Sequence, residues 1–297
     1  MFLLRNKMFC YILPKTIIIL EKSLTATYII ILIIATIIIG YFLFQPTLLK
    51  NRRLTIKAHD FPKEWERILS AHWPLYCRLP DLLKQNLHDR IKLFLSEKQF
   101  IACNDFKLDE KHKLLISAQA CLLIINKPFE YFDKLKTILV YPSAFIVRHN
   151  NLLANGTVSE DTNINSGEAW ETGKIILSWD DAYSGMIKLE DGHNVVIHEF
   201  AHLLDHTNGT ANGAPLLQHA KSYDQWSQIF SSAYENLQRS INIGQSNLFN
   251  PYGATNPGEF FAVASELFFE KSKSLQQHEP ELHQQLTKFY AIDPTLW

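Results

Sequence analysis

The sequence predicts an α+β domain, many helices around a small mixed sheet, preceded by one transmembrane helix. Three observations carry that expectation. Leu24 to Phe44 is an apolar run without a single charge. Beyond it, most apolar positions recur at helical spacing, while short runs such as Thr137–Pro142 and Lys174–Trp179 read as strands. Val195 to Asp205 carries His-Glu-x-x-His inside an otherwise apolar helical stretch. At 297 residues, 47% hydrophobic and 20% charged, the chain can bury one substantial core. Its net charge of −1 gives no electrostatic reason to expect nucleic acid as a partner. Cys10, Cys77, Cys103 and Cys121 show no Cys-x-x-Cys spacing, which argues against a disulfide scaffold or a structural zinc knuckle.

Residues 1–23 mix Arg5, Lys7, Lys15 and Lys22 with short apolar runs split at Pro14, none long enough to span a bilayer. Residues 24–44 would reach about 31 Å as a helix, close to the hydrocarbon thickness of a membrane. Tyr41, Phe42 and Phe44 give it the aromatic end expected at the headgroup layer, and Gln45-Pro46 should close it. No small-residue cleavage site follows, so an uncleaved single-pass anchor in the lipid bilayer is expected. Basic residues flank both ends, so the positive-inside rule does not choose an orientation. Sparse cysteines favour a cytoplasmic domain. Residues 45–60 read as a juxtamembrane linker and 61–297 as the folded domain.

Phe61 to Asn126 is largely helical in pattern, with Lys113–Leu123 a buried helix. Thr137–Tyr141 is a strand ended by Pro142, which Phe145–Val147 would extend after a kink. Asn150–Gly167 reads as a loop or hairpin, and its Asn155-Gly156-Thr157 matches a glycosylation acceptor that carries no weight without a secretory context. Lys174–Trp179 is a strand, either internal or an edge on which a peptide could add as a further strand, with Asp180–Gly185 a polar connection. Asp191–Asn194 supplies turn and cap for the motif helix. Trp226–Ile241 is amphipathic, and Asn256-Pro257 opens another helix, as cap and first position. The C-terminal stretch reads as a polar helix with His278 and His283 exposed.

The motif carries the chemistry. On a helix, residues four apart lie about 40° apart around the axis, so His198 and His202 project from one face toward a common metal ion. Glu199 is swung round far enough to reach a metal-bound water. Two neutral nitrogens and an adjacent carboxylate form the zinc-peptidase arrangement, which lacks one protein ligand. Glu259, Glu266, Asp205 and His206 are the candidates. Three ligands in a row along one helix cannot converge, which removes His206. Asp205 lies about 10 Å beyond His198 and fits support of His202 better. Glu259 and Glu266 share one face of an apolar helix, and their spacing leaves both open.

His198–Asp205 with Asn208-Gly209, and Tyr252–Glu266 with its Pro-x-Glu-x-Phe-Ala-Val order, resemble the Mlc titration factor A family of zinc peptidases. Ile138–Pro142 and Ile176–Trp179 also look like that family's strands, and the resemblance covers roughly residues 61–294. It implies a zincin-like metallopeptidase fold, Zn2+ held by His198, His202 and Glu259, Glu199 as general base, and Tyr252 as an activity-determining tyrosine. The implied function is hydrolysis of a peptide or protein substrate; the membrane anchor, read from residues 24–44, departs from the family, whose members include soluble cytosolic proteins. The family name also implies an alternative, a zinc-containing protein that sequesters a cytosolic partner such as a transcriptional repressor.

Overall fold

The computed structural model describes residues 3–143, 145–152, 158–165, 167–170, 173–209, 212–217 and 219–297. They fall into two compact units, residues 1–59 and 60–297. In the first, helix α1 (Leu3–Ala58) is 56 residues long. From Thr27 onward it is long and apolar enough to cross a membrane by length and composition, with a mean hydropathy of 2.6. The Thr36 hydroxyl donates back to Leu32 O at 2.8 Å, so this polar group is satisfied within the helix. Contrary to expectation, Pro46 does not close the helix, which runs on to Ala58. A proline forfeits one hydrogen bond and crowds the preceding turn, but the following Leu, Lys, Arg and Ala residues are strong helix formers.

The second unit begins with α2 (Lys63–His72), α3 (Pro74–Arg78) and α4 (Asp81–Glu97). Strand β1 (Gln99–Ala102) follows, inside a stretch whose pattern is otherwise helical. Four residues are too few for period-two alternation to register, and parallel pairing with a distant strand makes them a strand. Then come α5 (Glu110–Leu122), buried throughout its second half, and β2 (Thr137–Tyr141). The Phe145 segment does not extend β2. It forms β3 (Phe145–Leu152), paired antiparallel with β4 (Val158–Asn165) in a separate two-stranded sheet. Asn155–Thr157 lie outside the described residues.

Strands β5 (Gly167–Trp170) and β6 (Lys174–Ser178) complete a four-stranded mixed sheet in the order β1-β2-β6-β5. β1, β2 and β6 are parallel, and β5 runs antiparallel to β6. β6 is therefore internal, and the sheet's edges are β1 and β5. The Asp180–Gly185 connection is instead a helix, α6 (Trp179–Ile187), started by the Ser178 hydroxyl accepting from Asp181 N. A polar first turn suits a helix N-terminus as well as it suits a loop, which is why the sequence misleads there.

Helix α7 (Val195–Asp205) lies at the centre of this unit. Val196, Ile197, Phe200, Ala201 and Leu204 form its buried stripe, and Phe200 meets Phe94 and Phe132 at ring separations of 5.8 and 5.1 Å. After α8 (Ser222–Asn242) comes α9 (Pro257–Glu270), whose residues 260–270 are all buried and which packs on α7. A helix that is apolar nearly all round must be enclosed. Helices α10 (Ser272–His278) and α11 (Pro280–Tyr290) finish the unit. His278 is exposed, but His283 is buried, its Nε2 3.0 Å from the Ser272 hydroxyl. The turn between α10 and α11 folds the last helix back, so a polar-looking histidine faces inward.

Candidate metal centre

Two helices build the site, and each is capped by its own asparagine. Asn194 Oδ1 accepts from Ile197 N at 3.1 Å and starts α7; Asn256 Oδ1 accepts from Glu259 N at 3.0 Å and starts α9, with Pro257 at the first helical position. Asn194 also donates from Nδ2 to Gln119 Oε1 at 3.0 Å, in the buried core. Gly185 permits this approach, because a side chain there would stand 2.9 Å from the Asn194 Cα. Asn194→Ala should therefore lower the melting midpoint by several degrees. A lost cap of about 1 kcal/mol adds to a stranded buried acceptor of about 1–3 kcal/mol. A thermal melt within a degree of the parent would remove this account of how α7 is held.

His198 and His202 stand one turn apart on the same face, and the first turn of α9 brings Glu259 to them. His198 Nε2 lies 3.2 Å from His202 Nε2 and 3.0 Å from Glu259 Oε2, and His202 Nε2 lies 3.3 Å from the same oxygen. All three side chains are between 12% and 16% exposed, so the cluster opens to the surface without lying on it. A tetrahedral ion with bonds of about 2.0–2.1 Å spaces neighbouring donor atoms about 3.3 Å apart, which these separations match. Two imidazole nitrogens and a carboxylate oxygen are also the donor types a borderline divalent cation takes, so the residues present fit a metal.

The electrostatics point the same way. Burial would raise the Glu259 pKa, but its contacts with His198 and His202 prevail and pull it down to about 2. Burial likewise opposes charge on His198, yet Glu259 and Glu266 outweigh it and hold its pKa well above the ordinary value. Positive charge is favoured where these three groups meet.

Glu266, the other glutamate left open by spacing, sits 1% exposed behind His198. Its Oε1 lies 2.8 Å from His198 Nδ1, on the far side of the ring from the cluster. Its Oε2 accepts from Asn194 N at 2.6 Å and lies 3.1 Å from His193 Nδ1. A carboxylate in that position makes Nδ1 the protonated nitrogen and leaves Nε2 free to coordinate. His193 continues the connection, with Nε2 3.3 Å from Asn250 Nδ2, while Asn250 Oδ1 accepts from Tyr252 N at 2.9 Å. The Tyr252 ring is half exposed, its centroid 5.9 Å from that of His198. His193 and Asn250 were not singled out by sequence, although four histidines crowd residues 193–206.

Glu199 is 4% exposed on α7 and close enough to His198 to favour its charge. Asp205 is fully buried, which raises its pKa against the opposing pull of its loop hydrogen bonds and of His202, and it accepts from Gly213 N at 2.7 Å. It thus ties down the following loop, whose Gly213, at φ +76, packs against the Pro257 carbonyl where a side chain would clash. His206 ends α7 and stands outside the cluster.

Glu270, at the end of α9, accepts from Gly192 N at 3.1 Å and His193 N at 3.0 Å, and burial raises its pKa to about 8. Between about pH 4.5 and 8 the folded chain keeps a proton that the unfolded chain has released, so this group's contribution to stability declines as pH rises. Glu270→Gln should become progressively more stable than the parent from pH 5 to pH 8, by a few kcal/mol at most, seen as a melting midpoint that rises relative to the parent's. Parallel pH profiles for the two proteins would contradict the assignment.

The sequence profile of the glucose-regulated metallo-peptidase M90 family matches residues 47–291, which include the whole cluster. The chain belongs to the M90 metallopeptidase family. Similar proteins match over most of their own length. An uncharacterized protein of Synechocystis sp. (strain ATCC 27184 / PCC 6803 / Kazusa) is 40% identical over 90% of this chain and 98% of its own. Mlc titration factor A of Cronobacter sakazakii (strain ATCC BAA-894) is 34% identical over 79% of this chain and 88% of its own. Mlc titration factor A of Escherichia coli (strain 55989 / EAEC) is 30% identical over 80% and 89%. The M90 match begins at residue 47, so the most apolar part of α1 lies outside it.

Proposed function

We propose that this chain is a membrane-anchored, zinc-dependent peptidase with a zincin-like catalytic domain at residues 61–297, held by a span at residues 24–44. The observation that carries the reading is the convergence of His198 Nε2, His202 Nε2 and Glu259 Oε2 at tetrahedral spacing beside Glu199. His198, His202 and Glu259 would hold the zinc. Once bound, zinc supplies Lewis acidity, drawing the pKa of a coordinated water down toward about 7.

The remaining work falls to the protein. Glu199 takes the proton of the attacking water and returns it to the leaving amine. Tyr252 donates its phenolic hydrogen to the oxyanion of the tetrahedral intermediate, a contribution of about 3 kcal/mol for a well-placed donor. Glu266 keeps His198 in the tautomer that offers Nε2 to the metal. The edge strand β5 lies beside α7, and a peptide could add to that edge through main-chain hydrogen bonds. Residues 1–23 and the linker at 45–60 serve the anchor, and the free thiols Cys77 and Cys103 favour a cytoplasmic domain.

The experiment is hydrolysis of an unstructured protein such as casein by the full chain in detergent. Cleavage should stop with a chelator and return with stoichiometric zinc. Cleavage indifferent to chelation would refute zinc catalysis. A second reading draws on the name Mlc titration factor A borne by relatives. In it, the zinc-containing domain binds and sequesters a transcriptional regulator. The two roles are compatible in one chain, and intact Glu199 favours the enzyme, because a purely structural site gains nothing from an adjacent base.

A further inference from the structure

Away from the metal cluster, a buried lysine with no carboxylate partner among the described residues and a buried, unpaired amide donor line one cavity. Lys127 follows α5 and is 6% exposed. Its Nζ lies 4.0 Å from the centre of the Phe289 ring and 5.0 Å from that of Tyr131, and among the described residues no carboxylate pairs with it. Aromatic faces recover only part of the cost of burying a cation. Gln285, one turn before Phe289 on α11, is 4% exposed, and among the described residues its Nε2 donates to no partner. An amide donor buried in this way bears its desolvation cost without a compensating bond.

Both side chains line the same cavity of about 200 Å3, which also receives His219 and Lys288 and has no carboxylate among its lining residues. Leu217 and Trp226 provide an apolar wall. The space exceeds one water, whose share of the liquid is about 30 Å3, and falls below a drug-sized pocket. A buried cationic nitrogen and a buried amide donor, a lining with neutral Ser222 and Gln225 but no carboxylate, and an apolar wall describe a short amphipathic anion. We propose that this cavity binds a small organic carboxylate, its oxygens taken by Lys127 Nζ and Gln285 Nε2 and its hydrocarbon body lying against Trp226 and Leu217. Burial brings the Lys127 pKa down only to about 8, so the ammonium form that this pairing needs prevails at neutral pH. The proposal does not depend on the peptidase reading.

Butyrate is a suitable probe, with butyramide as its neutral counterpart and inorganic phosphate as a purely inorganic anion, tested by thermal melting of the full chain in detergent. Butyrate should raise the midpoint by a few degrees in a saturable manner, and butyramide should not. Lys127→Met, which keeps the packing and removes the charge, should raise the half-saturating concentration at least about tenfold with zinc content unchanged. Gln285→Leu should act in the same direction and gives the answer if the lysine variant does not fold. Equal responses to butyrate and butyramide, a response preserved in both variants, or none by about 50 mM would overturn the proposal. A response to phosphate alone would overturn the organic carboxylate in favour of an adventitious ion only.

Discussion

Glu199→Gln is expected to cut peptide hydrolysis by a factor of about 100 to 10,000 while zinc content and melting temperature stay near those of the parent. The amide has the shape of the carboxylate but cannot accept a proton at neutral pH, so the change isolates the base. Glu199 is 4% exposed and is not among the three residues whose donor atoms converge, so neither the cluster nor the α7 core should move. Hydrolysis that survives the substitution sinks the proposed mechanism. Loss of zinc together with activity would mean that Glu199 holds the site together, and the base assignment would fail.

Glu259 and Glu266 should separate sharply when each is changed. Glu259→Ala removes the only carboxylate oxygen in the cluster and leaves two imidazoles. Zinc retention and hydrolysis should both fall below detection. Glu266→Gln leaves an oxygen for His198 Nδ1 but places an NH2 opposite Asn194 N, which donates to Glu266 Oε2 at 2.6 Å. One of those contacts must fail, and zinc affinity should drop about 10–100-fold, the usual cost of losing support behind a ligand. Titration with a competing chelator measures both. If Glu266→Gln abolished zinc binding and Glu259→Ala spared it, the two roles would be exchanged.

The contrast between these glutamates shows what the sequence can and cannot carry. Local periodicity places His198 and His202 on one helix face, and Asn194 and Asn256-Pro257 announce helix starts. Those signals lie within a few residues, and the structure has each helix where the signal puts it. Which of two carboxylates seven residues apart meets the histidines depends on how α9 crosses α7, a long-range property that spacing leaves open; the family resemblance supplied the choice. The connection through Glu266, His193, Asn250 and Tyr252 N joins three separate segments, and no local pattern encodes it. The misses have similar causes. β1 is a strand because β2 pairs with it, His283 is buried because α11 folds back, and Pro46 yields to helix formers on its C-terminal side.

X-ray absorption at the zinc edge, on the full chain purified without added metal, tests the central claim most directly. The account predicts one zinc per chain, with two imidazole nitrogens at about 2.0–2.1 Å, oxygen ligands completing a four-coordinate shell, and no sulfur. A chain without zinc, or a first shell containing sulfur, would contradict it.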